Sequence, residues 1–161
     1  MLVAAISDTH LPRGARRLPE ACVERLRRAD LILHAGDLAA ASVLEELASL
    51  GPPVHAVHGN VDEPALRELL PKETVVAAGG VRIGMTHVPG PAAGREERLV
   101  RRFAGCDAVV YGHTHRPQVE RHAGVWILNP GSPTERRRAP AHTMLVLEIE
   151  GKEIAPRLVE V

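Results

Sequence analysis

Five apolar runs in the sequence each end in polar residues whose side chains can bind a metal ion or a phosphate group. These polar motifs are Asp8-Thr9-His10, Gly36-Asp37, Gly59-Asn60-Val61-Asp62, Thr86-His87 and Gly112-His113-Thr114-His115. In open α/β sheets, ligands bind beyond the carboxyl ends of the strands. If the five runs are strands, we therefore expect their motifs to meet at one rim, with the glycines allowing the backbone to come close to a ligand.

The motifs provide two aspartates, one asparagine and four histidines as candidate metal ligands. These residues are Asp8, His10, Asp37, Asn60, His87, His113 and His115. Mixed imidazole and carboxylate ligation favours Mn, Fe, Co, Ni or Zn and disfavours Ca. Because structural zinc sites usually use thiolates, a set without cysteine is typical of a catalytic site. Seven ligands exceed the need of one ion and suit two ions about 3.5–4 Å apart that share a carboxylate, as used for in-line phosphoryl displacement.

Each motif taken singly also has a purely structural explanation. Asp8 can cap a helix or close a turn, and Asp37 after a glycine can be a turn residue. Asn60 fits a left-handed turn, and His87 alone fits a buried core histidine. The occurrence of all five motifs in this order, including two histidines two residues apart, favours a shared site.

The elements that must position these residues alternate in the first half of the chain. The sequence predicts strands over Leu2–Ser7, Asp30–His34 and Val54–His58, and helices over Leu18–Ala29, Ala40–Leu50 and Pro64–Leu70. These strands are almost continuously apolar, which is typical of a sheet covered on both faces. The helices carry apolar stripes and recognisable start and stop residues.

Hairpins dominate the second half of the chain. The sequence predicts strands over Thr74–Ala78, Val81–Thr86, Ala108–Tyr111, Gln118–His122, Val125–Leu128, Thr143–Glu150 and Glu153–Val161, with one helix over Arg95–Phe103. Gly79-Gly80 is a strong two-residue hairpin signal. Without a linker or an internal repeat, we interpret residues 1–161 as one α/β domain with two sheets packed face to face and helices outside.

Composition excludes several functions. The 161 residues carry 20 Lys+Arg against 20 Asp+Glu, and Phe103, Tyr111 and Trp126 are the only aromatics. Such a chain has no basic surface for a nucleic-acid duplex and no stacking platform for single strands. Apolar runs of about six residues are too short to span a membrane, and the amino terminus lacks the features of a signal peptide. Cys22 and Cys106 lie outside any CxxC spacing, which favours buried thiols in a reducing cytoplasm.

The ordered set DxH, GD, GNxD, TH and GHTH, followed by Asn129-Pro130-Gly131-Ser132, resembles the calcineurin-like metallophosphoesterases. The resemblance is greatest to their small single-domain prokaryotic phosphodiesterase branch and extends from Asp8 to Ser132. It implies a four-layer α-β-β-α sandwich of two packed mixed sheets flanked by helices. It also implies a small phosphodiester as substrate and allows a homodimer.

The resemblance further implies which residue binds which ion. By this resemblance, one metal ion would be held by Asp8, His10 and His115, and a second by Asn60, His87 and His113. Asp37 would bridge the two ions. Asn60 would also contact a phosphate oxygen, so that Asp37, Asn60 and His87 are the predicted catalytic residues. Manganese is the expected metal, with nickel, cobalt, iron and zinc as alternatives. Asp62 would hold a loop by a hydrogen bond, and the Asn129–Ser132 turn would support the backbone beneath the site.

The implied reaction is attack of a metal-bridging hydroxide on phosphorus, in line with the leaving group. Many larger members of the family supply a histidine directly after the motif asparagine, and here that residue is Val61, which cannot donate a proton. We therefore expect better activity on aryl or cyclic nucleotide-type diesters than on alkyl monoesters. His58 is a candidate substitute acid.

Two other functions compete with hydrolysis. The same small fold occurs in a eukaryotic retromer coat subunit, where it works mainly as a protein-binding scaffold, but all seven candidate ligands are present here. A nucleotide-binding regulatory module lacks support, since there is no Walker-type loop or GxGxxG motif. We expect His34 outside the ligand set. The basic residues Arg13, Arg16 and Arg17 and the run Arg136–Arg138 either are solvated or guide anions to the site.

Overall fold

The computed structural model describes residues 1–161 and contains ten strands and four helices. The strands are β1 (Leu2–Ile6), β2 (Leu31–His34), β3 (Val54–Ala56), β4 (Glu73–Ala78), β5 (Val81–Thr86), β6 (Ala108–Tyr111), β7 (Gln118–His122), β8 (Val125–Asn129), β9 (Thr143–Glu150) and β10 (Glu153–Glu160). The helices are α1 (Glu20–Arg28), α2 (Ala41–Ala48), α3 (Pro64–Leu69) and α4 (Arg95–Arg102). Every predicted element is present.

The strands form two mixed five-stranded sheets. The first has the order β10-β9-β1-β2-β3, in which β1, β2 and β3 run parallel. The second has the order β4-β5-β6-β8-β7, in which β5, β6 and β8 run parallel. The polar motifs follow β1, β2, β3, β5 and β6, so each parallel set directs its motifs toward one end of its sheet.

Three apolar clusters define four layers. The largest lies between the sheets and includes Val3 and Leu33 from the first sheet and Ile83 and Val110 from the second. A second cluster packs α1, α2 and α3 on the outer face of the first sheet, and a third packs α4 on the outer face of the second. This α-β-β-α sandwich confirms the predicted fold class. Burying one large aliphatic side chain in such a layer stabilises the fold by about 1.5–3 kcal/mol.

All element boundaries lie within two residues of the predicted ones, and two of the differences have a clear structural cause. Strand β3 ends at Ala56 rather than His58, because the His58 N–H leaves the sheet and donates to the Pro71 carbonyl at 3.0 Å. Helix α1 begins at Glu20 rather than Leu18, because Pro19 has an extended backbone with ψ of 143° and precedes the first helical turn.

The helices are short. The longest, α1, has nine residues, and none combines the length and apolarity needed to cross a bilayer. Cys22 and Cys106 are both free and buried, as expected.

Candidate metal centre

The loops after the two parallel strand sets meet at one rim and bring all seven predicted ligands together. The clearest link between the sheets is the His113 backbone N–H, which lies 3.1 and 3.0 Å from the two carboxylate oxygens of Asp8. Asp8 follows β1 in the first sheet and His113 follows β6 in the second. Residues more than 100 positions apart therefore share one site.

A first group of ligand atoms consists of Asp8, His10 and His115. The Nε2 atoms of the two histidines are 3.2 Å apart, and their rings are stacked. Asp8 Oδ1 lies 3.3 Å from His115 Nε2 and 3.9 Å from His10 Nε2. Three ligand atoms thus surround one point with the chemistry that suits a borderline divalent ion.

A second group contains Asp37, His87 and His113, and Asn60 joins it. His87 Nε2 lies 3.1 Å from Asp37 Oδ2 and 3.2 Å from Asn60 Oδ1. His113 Nδ1 lies 2.9 Å from the same Asn60 oxygen. This second set of ligand atoms is also able to surround a cation.

Asp37 lies between the two groups. Its Oδ2 atom is 3.1 Å from His87 Nε2 in the second group and 3.7 Å from His10 Nε2 in the first. Its other oxygen, Oδ1, accepts a hydrogen bond from the Val61 N–H at 3.0 Å. One carboxylate oxygen is therefore available to both groups while the other fixes the side chain.

Hydrogen bonds on the far sides of two histidines test whether these groups fit a metal ion. His87 Nδ1 donates to the Ala35 carbonyl at 2.8 Å, and His115 Nδ1 donates to the Glu135 carbonyl. A carbonyl only accepts, so in each neutral ring the proton is on Nδ1 and the lone pair of Nε2 points into the site. There the lone pairs face carboxylate and carboxamide oxygens. A divalent cation satisfies such a set of converging acceptors, so the residues fit a metal ion.

Burial sets the charge states of the first group. It raises the pKa of Asp8 to about 7 and lowers the pKa of His115 to about 4. It also lowers the pKa of His10. The imidazoles are thus kept neutral, the state that binds metals, and a buried ionised Asp8 needs a positive charge beside it.

The Asp37 carboxylate behaves differently. Burial opposes its ionisation, but the contacts with His87 and the Val61 N–H prevail and lower its pKa to about 2. For His87, burial is likewise outweighed, and the Asp37 contact raises its pKa. Asp37 is therefore the permanent negative charge between the two groups.

Asp62 lies outside the ligand groups and holds two loops together. It is buried, and its carboxylate accepts the Ala39 N–H at 2.7 Å and the Gly59 N–H at 2.6 Å. The loop that carries Asp37 is thereby attached to the loop that carries Asn60. The predicted hydrogen-bonding role of Asp62 is confirmed.

The Asn129–Ser132 turn supports the site from below, as predicted. Asn129 Nδ2 donates to the Gly112 carbonyl at 3.2 Å and to Thr114 Oγ1 at 3.1 Å. Ser132 Oγ donates to the Asp8 carbonyl at 2.7 Å. Both loops that carry ligands of the first group are fixed by this turn.

Several supporting residues were not identified from the sequence. The carbonyls of Ala35 and Glu135 orient two histidines, and the Ser7 hydroxyl donates to Asp8 Oδ2 at 2.7 Å. Main-chain acceptors have no signature in the sequence. Ser7, directly before Asp8 at the end of β1, is the one residue of this set that its position could have indicated.

Three of the arginines near the rim, Arg13, Arg16 and Arg137, are paired with Glu135 and are therefore neither simply solvated nor free to guide anions. Arg13 and Arg16 donate to Glu135 Oε2 at 3.0 and 2.8 Å, and Arg137 Nε lies 3.6 Å from Glu135 Oε1. Glu135 therefore neutralises part of the basic charge that the sequence places here. Arg17 remains exposed.

His34 also lies outside the ligand groups, as expected. It is fully buried, with Nε2 3.1 Å from Thr9 Oγ1 and Nδ1 accepting the Gly36 N–H at 3.2 Å. Burial lowers its pKa to about 3. A neutral His34 therefore connects the loops that follow β1 and β2.

Five of the seven candidate ligands have a left-handed backbone. Their φ angles are 56° at Asp8, 48° at His10, 59° at Asp37, 71° at His113 and 55° at His115. Asp and His tolerate this region better than most residues, yet it remains costly for any side chain with a Cβ. The tight loops that aim the ligands thus carry backbone strain.

This strain predicts a difference between two substitutions that both remove the His113 imidazole. His113→Gly is expected to be more stable than His113→Ala by about 1 kcal/mol, since glycine adopts a φ of 71° without a Cβ clash. Urea unfolding of the metal-free variants measures the difference. Equal stability, or a more stable alanine variant, would contradict the assignment of strain.

The family model that describes the calcineurin-like phosphoesterase superfamily domain matches residues 1–152 of this chain. The chain belongs to this superfamily. Calcineurin-like phosphoesterases use divalent metal ions, and the two groups of ligand atoms are candidate sites for them. The resemblance inferred from the ordered motifs is confirmed.

Relatives of this calcineurin-like chain match it along nearly its whole length. A probable metallophosphoesterase of Methanothermobacter thermautotrophicus is 36% identical over 163 residues, which cover 99% of this chain and 92% of that protein. A solution structure of a Thermotoga maritima protein is 32% identical, with a TM-score of 0.77 and 99% of both chains covered. The crystal structure of Vps29 from Entamoeba histolytica complexed with Zn²⁺ is 26% identical, with a TM-score of 0.80 and 99% of both chains covered.

Proposed function

We propose that residues 1–161 form one metallophosphoesterase domain that hydrolyses small phosphodiesters with two divalent metal ions in the cytoplasm. The observation that carries this proposal is the position of Asp37 Oδ2, 3.1 Å from His87 Nε2 and 3.7 Å from His10 Nε2. A carboxylate between two sets of ligand atoms is what a pair of ions that share a ligand requires. The names of the archaeal relatives support a hydrolase.

In this proposal each ion has its own ligand set. The first is held by Asp8, His10 and His115, the second by Asn60, His87 and His113, and Asp37 bridges them. Manganese is the proposed metal because the ligands are oxygen and imidazole nitrogen without thiolate. Nickel, cobalt, iron and zinc remain alternatives, and the zinc complex of Entamoeba Vps29 supports the inclusion of zinc.

Two divalent ions, when bound, would lower the pKa of a bound water molecule and neutralise charge on the phosphate oxygens. The chain's contribution is to hold the ligands in advance. The Asp37 carboxylate is fixed by the Val61 N–H, and the His87 ring by the Ala35 carbonyl. Asn60 is exposed, and its Oδ1 faces the histidines. Its Nδ2 group is therefore the proposed donor to a phosphate oxygen.

Chelation provides the direct test of this function. After removal of metal, turnover of bis(p-nitrophenyl) phosphate is expected to disappear, because the converging acceptors cannot activate water alone. Mn²⁺ is expected to restore it best among Mn²⁺, Ni²⁺, Co²⁺, Fe²⁺ and Zn²⁺, with the diester preferred over p-nitrophenyl phosphate. Turnover that survives complete chelation, or no turnover with any of the five ions, would refute the proposal. The second result would instead favour the protein-binding scaffold that shares this fold.

The residue after Asn60 leads to a prediction about leaving groups. Val61 is 45% exposed at the rim, and its side chain cannot protonate a leaving alkoxide. Since a positioned general acid contributes about 10²–10⁴-fold, aryl diesters are expected to react at least about 100-fold faster than alkyl diesters. Val61→His is expected to raise the alkyl rate about tenfold without loss of stability, because the position is exposed. Initial rates across a series of leaving groups provide the measurement.

The matched control for this substitution is Val61→Gln, which adds a polar side chain without an acid. It should leave the ratio of aryl to alkyl rates unchanged. Equal wild-type rates on aryl and alkyl diesters would mean that another acid operates. His58, which lies beside Asn60 and His87 in the same cavity, would then be the first candidate.

A further inference from the structure

A cavity of about 160 Å³ opens directly beside the second ligand group. Asn60 and His87 form one side of it, and the remaining lining residues are His58, Gly59, Arg67, Lys72 and Val88. Its volume corresponds to about five water molecules at about 30 Å³ each. A group bound at Asn60 and His87 therefore has room to extend into it.

The cavity is positively charged, and no carboxylate lines it. Arg67 donates from Nε to the Asp62 carbonyl at 2.8 Å and from Nη2 to the Asn60 carbonyl, so its partners are uncharged. Lys72 is exposed and forms no ion pair. Its neighbour Glu73 is bound by Arg102. Unlike Arg13, Arg16 and Arg137 around Glu135, neither of these two cations forms an ion pair with a carboxylate.

Two residues of the cavity wall, Arg67 and Val88, are held in place before any ligand arrives. The two hydrogen bonds of Arg67 fix its guanidinium against the loop that carries Asn60. Among the other lining residues, Val88 is held through its carbonyl, which accepts a hydrogen bond from Arg102 Nη1 at 3.2 Å. A fixed guanidinium loses little conformational entropy when it binds an anion.

We propose that this cavity binds a second anionic group of the substrate, a phosphate or a carboxylate, beside the phosphoester held at Asn60 and His87. The inference rests on the proposed phosphoesterase function and narrows its substrate class to esters that carry a further negative charge. Arg67 and Lys72 are the residues that select this class. The planar, fixed guanidinium of Arg67 and the flexible ammonium of Lys72 together suit contact with oxygen anions of more than one geometry.

Calorimetric titration of the manganese-loaded protein tests this inference with three probes that are not hydrolysed. Methylphosphonate carries one anionic group, phosphonoacetate adds a carboxylate, and methylenebisphosphonate adds a second phosphonate. At least one of the two-group probes is expected to bind about tenfold more tightly than methylphosphonate. Lys72→Ala should reduce this advantage to about threefold, and raising the ionic strength from about 50 to 500 mM should reduce it in the wild type.

Lys152→Ala is the matched control, since Lys152 is the only other lysine and lies in the β9–β10 turn. It should bind all three probes as the wild type does. The free Mn²⁺ concentration is held constant in every titration. Binding of Mn²⁺ by a probe in solution is then the same for the wild type and the variants, and it does not affect the comparison between them. Whichever two-group probe is preferred identifies the second group as carboxylate or phosphate.

Three results would overturn the inference. If methylphosphonate binds in a metal-dependent way but neither two-group probe binds more tightly, the cavity does not recognise a second anion and the proposed function stands. The same conclusion holds if a two-group probe binds more tightly than methylphosphonate by the same factor in the wild type, in Lys72→Ala and in Arg67→Gln. If methylphosphonate fails to bind with metal present, the proposed function fails, and this inference fails with it.

Discussion

Asp37→Asn is expected to lower kcat/KM for bis(p-nitrophenyl) phosphate by about a thousandfold. Asparagine can still accept the Val61 N–H at the position of Oδ1, so the loop is expected to keep its shape. What is lost is the permanent negative charge that faces His10 and His87 from between the two ligand groups. Metal analysis of the purified variant should give one ion per chain or fewer, against two in the wild type.

Asp107→Asn provides the control for this substitution. Asp107 accepts a main-chain hydrogen bond from Arg82 at 2.8 Å, as Asp37 does from Val61, but it lies away from the rim. The control should retain two ions and wild-type turnover. An Asp37→Asn variant that keeps two ions and more than about a third of the activity would remove the bridging role from Asp37.

Among glycine-to-alanine substitutions near the site, Gly59→Ala is expected to cause the largest loss of folding stability. A Cβ atom at Gly59 would lie 2.0 Å from Asp37 Oδ1 and 2.4 Å from the Asp37 backbone nitrogen. The Gly59 backbone cannot retreat easily, because its N–H is held by the buried Asp62 carboxylate at 2.6 Å. We expect a loss of about 3 kcal/mol, which lowers Tm by about 6–12 °C, together with weaker metal binding.

Gly124→Ala separates this steric effect from backbone strain. Gly124 has a φ of 85° in the β7–β8 turn, and a Cβ there would meet nothing within 4 Å. Its substitution should cost only about 1–2 kcal/mol and leave metal binding unchanged. Thermal unfolding and metal titration of both variants make the comparison. Equal losses of stability with intact metal binding in both would show that Asp37 and Gly59 are not in close contact.

Three glycines near the site are required by neighbours that the sequence does not identify. The sequence predicts that Gly36, Gly59 and Gly112 let the backbone approach a ligand. In the structure, the lack of a side chain at these glycines makes room for other parts of the protein: the His87 ring at Gly36, Asp37 at Gly59 and the Ala35 carbonyl at Gly112. The need for glycine is visible in a sequence, but the neighbour that imposes it depends on how the two sheets pack.

The elements and the ligand set were predictable for different reasons. Apolar runs and turn residues determine the strands, and the rule that polar residues after parallel strands converge accounts for the clustering of Asp8, Asp37 and Asn60. The order of strands within each sheet is not contained in local patterns. The orientation of His87 and His115 was equally hidden, because it depends on main-chain carbonyls distant in sequence.

The left-handed backbone at five candidate ligands has a consequence for the evolution of this fold. Where a metal ion is no longer needed, Asp8, His10, Asp37, His113 and His115 would cost stability without a compensating benefit, and drift toward glycine or asparagine would be favoured. Asn60 and His87, which lack a left-handed backbone, would persist longer. Loss of the five left-handed ligands before Asn60 and His87 should therefore mark the lineages that gave up catalysis, whereas lineages that still use it should keep all seven.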